Sequence, residues 1–438
     1  MREIIEEVLK RIVPSSEERK KLNEIVGEIK ERIDERKPHG VESMLVGSVA
    51  KDTYLSHSLD IDFFLLFPPS YEKKRIGETA ISIGKEILER WMVQYAEHPY
   101  IRGFYKNYEV DIVPCYKVKS AMEKISAVDR TPFHTRYVIQ NLKEEMKNEV
   151  RILKQFLKGI GCYGAEARVE GFSGYLTELL ILKYKNFLHL LEESQNWKGK
   201  IVLSLNGEKK EFPERFVFVD PIDSSRNVAA ALSEEKLEFF IMAAKEFLKK
   251  PSIKFFFPNP PPPISEKELR KKLRNFIAIC FKKPQIPDDI LYPQMKKAAS
   301  NLETLLKEYD FRILKKAWHS NEYAFMAVEL ESKEIGEIKL HMGPPLDEKK
   351  HVDAFIKKWK ENEKVVEGPF IRDGRLWVKI KRDYTNAVHL IENKMAEINF
   401  GKNLNELKEE MKICHEENLL KFKDYWEEFF CPKKPWER

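Results

Sequence analysis

The stretch that decides the fold is Val46-Gly47-Ser48, followed after eleven residues by Asp60-Ile61-Asp62-Phe63-Phe64-Leu65-Leu66-Phe67. The second part is typical of a buried β-strand, in which successive side chains point to opposite faces. Asp60 and Asp62 are therefore expected on one face, with apolar residues on the other. Two neighbouring carboxylates repel each other unless a cation lies between them, and hard divalent cations such as Mg²⁺ prefer oxygen ligands.

The acid pair alone is weak evidence, because 71 acids in 438 residues give roughly eleven such pairs by chance. Its neighbours in the sequence make it informative. Gly47 precedes Ser48 at the end of a short strand, where a residue without a Cβ lets backbone N–H groups approach a phosphate. A third carboxylate, Asp111, lies in the apolar run 108–114. The sequence thus predicts a two-metal site. Glu109, on the same strand face as Asp111, could replace it as the ligand. Alternatively, these acids bind no metal and are solvent-facing residues of their strands.

The composition indicates a folded chain of several domains. Hydrophobic residues make up 42% and charged residues 34%, and the length corresponds to about three domains of ~150 residues. The five cysteines are odd in number and far apart, so neither a disulfide framework nor a structural zinc site is expected. This cysteine pattern indicates a protein of a reducing compartment. No apolar run approaches the ~18 residues of a membrane span, and no signal-peptide pattern occurs. The sequence therefore predicts a cytoplasmic protein.

Positive charge is concentrated in one segment. The net charge is +6, and residues 251–300 contain ten Lys or Arg against four Asp or Glu. Lys271, Lys272 and Arg274 are the candidate RNA contacts, because clustered cations displace the counterions condensed on phosphates. A solvated helix face is the alternative.

Periodicity and a Pro-rich segment predict a multidomain α+β protein. Residues 1–140 open with a helix pair, and a helix over 72–91 separates their β-type runs; residues 141–255 are mainly helical. The Pro-rich stretch 257–263 breaks helix and strand alike, so a boundary is expected there before a mixed region, 256–438. The predicted β-type runs are 44–46, 59–67, 92–96, 101–105, 108–113, 276–281, 323–330 and 376–380.

These features resemble a known family. A G-S-x11-D-x-D spacing with a later acid in an apolar strand is the pattern of the polymerase-beta-type nucleotidyltransferases, and further stretches are similar to the archaeal, class I CCA-adding tRNA nucleotidyltransferases. Those stretches are YAEHPY (95–100), VPCY (113–116), SAVDRTPFH (126–134), GFSGYL (171–176), RNVAA (226–230) and DDILYPQ (288–294). The resemblance implies an N-terminal polymerase-beta-like nucleotidyltransferase domain, a helical central domain and α+β C-terminal RNA-binding modules.

Position by position, the resemblance also implies site residues. Asp60, Asp62 and Asp111 would bind two Mg²⁺ ions. The incoming nucleotide would be held by Ser48, Lys51, His134, Lys154, Tyr163 and Arg226, the last reading the base. The sequence departs from the family at two of these positions, because family members often carry Arg where this chain has Lys51 and Glu where it has Asp60. Lysine keeps the charge of arginine without its bidentate geometry.

The implied activity is that of a transferase that processes tRNA. It would add C, C and A to the tRNA 3′ end without a nucleic-acid template, using CTP and ATP and releasing pyrophosphate. The alternatives are another polymerase-beta-type RNA nucleotidyltransferase, such as a poly(A) polymerase, and a non-catalytic RNA-binding protein that uses the basic segment. The expected partners are tRNA, CTP and ATP, with no membrane, and a homodimer is compatible with the sequence.

Overall fold

The computed structural model describes residues 1–57, 60–95 and 97–438. The described chain divides into two compact units: unit 1 comprises residues 1–261 and 432–438, and unit 2 comprises residues 262–431. None of the described helices combines the length and apolar character needed to cross a membrane. The mixture of helices and strands confirms the predicted α+β class.

Unit 1 contains most of the helical residues and one large sheet. Its helices are α1 (Arg2–Ile12), α2 (Ser16–Arg36), α3 (Gly47–Ala50), α4 (Lys73–Ile87), α5 (Thr131–Asn141), α6 (Glu144–Gly159), α7 (Gly174–Tyr184), α8 (Phe187–Ser194) and α9 (Glu234–Lys249). Its strands are β1 (Glu42–Val46), β2 (Asp60–Phe67), β3 (Glu89–Tyr95), β4 (Pro99–Tyr105), β5 (Tyr108–Tyr116), β6 (Ile201–Leu203) and β7 (Phe216–Phe218).

The large sheet places β2 and β5 beside each other near its centre. The strand order among the described residues is β1-β2-β5-β4-β3, with β2 and β5 parallel and the other neighbours antiparallel. The prediction of a strand over 59–67 is confirmed for Asp60–Phe67, whereas Leu59 and Ala96, which the predicted runs included, lie outside the described residues. The helix predicted over 72–91 is α4, and it ends at Ile87 because β3 begins at Glu89.

Helices α2 and α4 cover one face of this sheet. Ile29 of α2 and Ile83 of α4 join Ile61 and Phe63 of β2 in one buried apolar cluster. This confirms the expected alternation along β2, in which Ile61 and Phe63, the residues that alternate with the aspartates, point into the core. Asp60 and Asp62 consequently lie on the opposite face.

The helical part of unit 1 has an aromatic core. Phe156 of α6 packs its ring against those of Phe187, Phe247 and Phe255, with centroids 5.3, 5.7 and 5.9 Å away. Residues 432–438 return to this core: the Trp436 ring stacks on Phe255 with centroids 4.9 Å apart, and its indole N–H donates to Glu246 at 2.7 Å. The segment after unit 2 is thus part of the core of unit 1.

Unit 2 consists of two further sheets and their helices. Its helices are α10 (Glu266–Leu273), α11 (Asp288–Glu308), α12 (Lys349–Trp359), α13 (Ala387–Lys394), α14 (Lys402–Asn405), α15 (Glu416–Leu419) and α16 (Lys423–Phe430). Its strands are β8 (Phe276–Lys282), β9 (Ile313–Ser320), β10 (Tyr323–Leu330), β11 (Ile338–Pro345), β12 (Val365–Arg372), β13 (Arg375–Lys381) and β14 (Lys412–Cys414). The sheets have the orders β14-β8-β10-β9 and β11-β13-β12.

The sequence predicted no disulfide framework, yet one pair of cysteines is bonded. Cys280 of β8 and Cys414 of β14 are disulfide-bonded; they are 134 positions apart in sequence, and their Cα atoms are 5.9 Å apart. The two strands are antiparallel neighbours, in which Cys280 pairs with Lys412. Strand pairing therefore brings the two sulfurs together, and spacing along the chain gave no sign of it. Cys115 and Cys162 are buried thiols.

Candidate active site

The predicted acids lie in one row across the sheet. Val46 of β1 is aligned with Asp62 of β2, Asp62 with Asp111 of β5, and Asp111 with Arg102 of β4. Aligned neighbours in a sheet point to the same face. The parallel register also sets Asp60 beside Glu109, so the predicted acids and the alternative ligand share the face opposite α2 and α4.

Arg102 binds the third predicted acid. Its Nε and Nη2 donate to the two oxygens of Asp111 at 2.7 Å each, and its Nη1 lies 3.2 Å from an oxygen of Glu109. Such a fork-to-carboxylate pair is a strong form of charged hydrogen bond. Sequence reasoning missed Arg102, because only the pairing of β4 with β5 places it opposite Asp111.

The environment of Asp62 disfavours its ionised carboxylate unless a cation is nearby. Burial raises its pKa to about 7, and the neighbouring Asp111 and Asp60 act in the same direction. Among the described residues no group forms a hydrogen bond or an ion pair with the carboxylate of Asp60 or Asp62. A divalent cation would compensate both the burial and the repulsion, so these donors fit the predicted metal. The described part of the chain holds no preassembled group of three or more His, Cys, Asp or Glu ligands.

Gly47 lies directly against Asp62. Its φ is +69°, and a Cβ built on it would come within 2.0 Å of Asp62 Oδ2. An L side chain is strained at this φ and would also collide with the carboxylate. Ser48 follows within the short helix α3. The Gly-Ser pair and the first acid pair, eleven residues apart in sequence, are therefore adjacent in space.

The two predicted nucleotide-binding lysines converge on one glutamate. Lys51 Nζ donates to Glu178 Oε2 at 2.6 Å, and Lys154 Nζ lies 3.8 Å from Glu178 Oε1 and donates to the Thr53 carbonyl at 3.0 Å. Thr53 also donates its hydroxyl to Glu178 at 2.9 Å. Burial lowers the pKa of Lys154 to about 8. Sequence reasoning missed Glu178, although an acid within the apolar helix α7 was a usable signal.

Tyr163 is influenced by the charges of both this group and the acids. It forms a parallel bridge with Phe172, and Lys158 Nζ lies 5.5 Å from its ring centroid. Burial raises its pKa, and the charges of Glu178 and Asp60 raise it further. The phenol thus lies in the field of both the lysine-binding glutamate and the first predicted metal ligand.

His134 and Arg226 meet at a second buried acid, Asp220, which sequence reasoning did not identify. His134 Nε2 is 2.8 Å and Arg226 Nη1 is 3.0 Å from Asp220 Oδ2. Tyr175 donates its hydroxyl to Asp220 Oδ1 at 3.3 Å, and its ring lies 4.0 Å from that of His134. Burial lowers the pKa of His134, against the opposing effect of Asp220. Burial works to raise the pKa of Asp220, yet hydrogen bonding to His134 leaves it below its ordinary value.

A third buried acid, Asp223, follows three residues later. It accepts from Lys124 at 2.8 Å and from Arg130 at 3.1 Å. Both cations and Arg226 line a cavity of about 520 Å³. The two aspartates thus hold cationic side chains around one concave surface of unit 1.

Helix α7 connects the two groups of contacts. Tyr175 and Glu178 are three residues apart, so they lie on the same side of the helix. Tyr175 reaches Asp220 and Glu178 reaches Lys51. Ser173 caps the helix by accepting from the Leu176 N–H at 3.1 Å, which explains why the GFSGYL stretch carries the helix start.

The predicted RNA contacts lie elsewhere, in unit 2. Lys271 and Lys272 belong to α10, and Arg274 follows its last turn. Lys271 and Arg274 are exposed, and Lys272 Nζ lies 5.3 Å from the ring centroid of Phe430. These positions allow contact with a phosphate and do not by themselves distinguish an RNA surface from a solvated helix.

Known families match three successive parts of the chain. Residues 26–134 match the nucleotidyltransferase domain, residues 148–257 the second domain of tRNA nucleotidyltransferase, and residues 273–416 the C-terminal domain of CCA-adding enzyme. The first match contains the acid row, and the second contains Lys154, Glu178 and Asp220. The expected fold, with a polymerase-beta-like nucleotidyltransferase domain in front, is confirmed.

Curated relatives match along nearly the whole length. The chain is 39% identical over 427 residues to the CCA-adding enzyme of Archaeoglobus fulgidus, covering 96% of both chains. It is 38% identical to that of Methanosarcina barkeri, covering 95% of both, and 40% identical to that of Saccharolobus islandicus, covering 87% of this chain and 89% of the relative. The row of acids, the Gly47-Ser48 pair beside it and the matching domains lead to one conclusion: the chain belongs to the CCA-adding enzymes, the nucleotidyltransferases that complete the 3′ end of tRNA.

Proposed function

We propose that this enzyme adds C, C and A to tRNA at the sheet face that carries Asp60, Asp62 and Asp111, using CTP and ATP and releasing pyrophosphate. The observation that carries the proposal is the row in which Asp62 and Asp111 are aligned neighbours beside Gly47. In this proposal residues 1–140 form the catalytic domain, 141–255 a helical domain that completes the nucleotide site, and 256–438 the region that holds the RNA, through its residues 262–431, which form unit 2.

The proposed cofactor is a pair of Mg²⁺ ions held by Asp60, Asp62 and Asp111. Such ions activate the 3′-hydroxyl for attack on the α-phosphate and neutralise the triphosphate and the pyrophosphate. Nucleotidyltransferases of this superfamily generally use divalent metals, and the raised pKa of the half-buried Asp62 supports a site of this kind here. Arg102 donates one hydrogen bond to each oxygen of Asp111, which leaves a second lone pair on each oxygen for a metal ion.

The remaining residues have roles that their contacts support. Ser48, Lys51, Lys154 and Tyr163 hold the nucleotide beside the acids, and His134 and Arg226 extend the site along α7, with Arg226 reading the base. Glu178 keeps the two lysines close together, so their charge is concentrated where a triphosphate would bind. Positioning and charge stabilisation are the main contributions of a protein to such a transfer.

The experiment that tests this function uses tRNA that lacks its 3′ end. It is incubated with each labelled nucleotide separately and then with CTP and ATP together. Addition of C twice, followed by A only after both cytidines are present, is the expected result. Long A-tails with ATP alone would favour a poly(A) polymerase, and no incorporation at all would favour a non-catalytic RNA-binding protein.

Product length gives a sharper prediction on a minimal substrate. A minihelix that carries only the acceptor and adjoining stem should receive C, C and A and then no further nucleotide. The RNA body is held by shape and phosphate contacts, since side chains cannot read the narrow, deep groove of A-form RNA, and the growing end must fit a pocket of finite volume. Gel analysis of labelled products checks this, and extension past three nucleotides or failure of every minihelix would contradict it.

The basic segment should contribute to the salt dependence of tRNA binding. Neutralising Lys271, Lys272 and Arg274 to glutamine together should lower the log–log slope of affinity against salt by about one unit per lost phosphate contact. A matched control neutralises three exposed lysines of unit 1, Lys10, Lys20 and Lys21, and removes the same charge. Filter binding at several salt concentrations measures both. Equal slopes in the two variants would identify the segment as a solvated face.

Two further proposals concern assembly and location. A homodimer is proposed as the assembly, and light scattering of the purified chain tests it. A cytoplasmic location is proposed because tRNA is the substrate of the family.

A further inference from the structure

Asp220 is the only recorded side-chain partner of Arg226 among the described residues, and it is also the hydrogen-bond partner of His134. His134 comes from α5 and Arg226 from the loop after β7, 92 positions apart in the printed sequence. The loop and the start of α5 are also joined by the bond from Arg130 to Asp223, but that bond involves neither the His134 nor the Arg226 side chain. The Asp220 carboxylate, whose side chain is 0% exposed, is therefore the point at which the two residues are held together.

The chemistry of a carboxylate determines what it imposes on these partners. An ionised carboxylate only accepts hydrogen bonds, so His134 must carry a proton on Nε2 and donate it to Asp220. In the neutral ring Nδ1 is then left as an acceptor. Arg226 has five N–H donors, and its Nη1 nitrogen donates to Asp220. Its side chain remains 31% exposed, which leaves donors available to a bound nucleotide.

We infer that Asp220 is a positioning residue for nucleotide binding, which fixes His134 and Arg226 in one geometry and acts on the substrate only through them. The inference rests on the proposed function, in which these two residues contact the incoming nucleotide. The residue to compare is Asp223, which lies three positions away. It is equally buried and holds two cations, but its partners, Lys124 and Arg130, are not among the predicted nucleotide contacts.

The first measurement is steady-state kinetics of Asp220→Asn on the full-length enzyme. The substrate is a saturating minihelix that ends in CC, so that each turnover is one addition of A, and KM for ATP and kcat are determined separately. KM should rise about tenfold while kcat falls less than about threefold, because loosely held contact residues weaken nucleotide binding and leave the acid row intact. Asp223→Asn should change KM less than about threefold. An unchanged KM in Asp220→Asn, or an equal rise in both variants, would overturn the inference.

A double-mutant comparison shows whether Asp220 acts through its partners. In a His134→Ala/Arg226→Ala background, the further change Asp220→Asn should leave KM unaltered, because nothing is left to position. A further rise would mean that Asp220 acts on the substrate in another way, which overturns the inference. If the background variant itself has normal KM, the proposed nucleotide contacts are wrong as well. A normal KM in Asp220→Asn alone, with a raised KM in the background, rejects only the role of Asp220.

A conservative variant keeps the test valid if Asp220→Asn does not fold. Asp220→Glu retains the negative charge and moves it by one methylene, so the two basic partners stay neutralised in a shifted position. Its KM should lie between those of the wild type and the asparagine variant, with a melting temperature near the wild-type value. A KM equal to the wild type in a folded Asp220→Glu enzyme would show that the position of the carboxylate does not matter and would overturn the inference.

Discussion

Replacing Asp62 or Asp111 with alanine is expected to lower the rate of nucleotide addition at least about 10³-fold, since loss of a metal ligand removes several kcal/mol of transition-state stabilisation. Affinity for tRNA should stay within about twofold, because in this proposal the two acids bind metal rather than RNA. Single-turnover addition with CTP or ATP and filter binding of tRNA measure the two properties on the same preparations.

The control for this pair is Glu109→Gln, which changes the neighbouring acid that was the alternative ligand. It is expected to retain most of the activity, although it loses the 3.2 Å contact with Arg102. Inactivity of Glu109→Gln together with an active Asp111→Ala would transfer the ligand role to Glu109. Near-normal turnover in Asp62→Ala would remove the metal assignment altogether.

Gly47→Ala is expected to lower activity at least about 100-fold while the protein still folds. The added Cβ would lie 2.0 Å from Asp62 Oδ2, so the carboxylate must leave its place, and displacement of a catalytic group by about 1 Å can cost ~10²-fold. The positive φ of +69° adds a backbone strain of about 1–2 kcal/mol. Activity assays and thermal denaturation separate the two effects.

Gly40→Ala separates backbone strain from the collision with Asp62. Gly40 also has a positive φ, +84°, but a Cβ there would meet only Pro68 Cγ at 3.9 Å, an ordinary contact. This variant should lose a few degrees of melting temperature and keep its activity. If Gly47→Ala were as active as Gly40→Ala, the close approach of Gly47 to Asp62 would have no part in catalysis.

Local pattern was sufficient for the strands of the large sheet and insufficient for the edge strands of the two sheets in unit 2. β2 and β5 are long apolar runs because they lie inside the sheet, and the sequence reveals them directly. β9, β11 and β12 were not predicted, since lysines, prolines and glutamates interrupt their apolar positions, as in IKLHMGPP of β11. The short strand β14 depends on its pairing with β8, and no local signal marks it.

The site shows a similar division. The resemblance supplied Lys51, Lys154, His134 and Arg226, whose assigned roles stay predictions. The acids that hold them, Glu178 and Asp220, were not found, because a hydrogen-bond partner is determined by which elements pack together. Arg102 was missed for the same reason. Glu178 alone had a local signal, a charged residue within the apolar face of α7 that must be paired if it is buried.

The return of residues 432–438 to unit 1 has a consequence for synthesis. Trp436 is 5% exposed and belongs to the same apolar cluster as Phe156 and Phe255, so this core lacks a member until the segment after unit 2 has been made. Domains generally fold in order as they leave the ribosome. In this protein the aromatic core of unit 1 gains Trp436 only after the whole of unit 2 has been translated. Unit 1 is therefore begun first during synthesis and completed after unit 2.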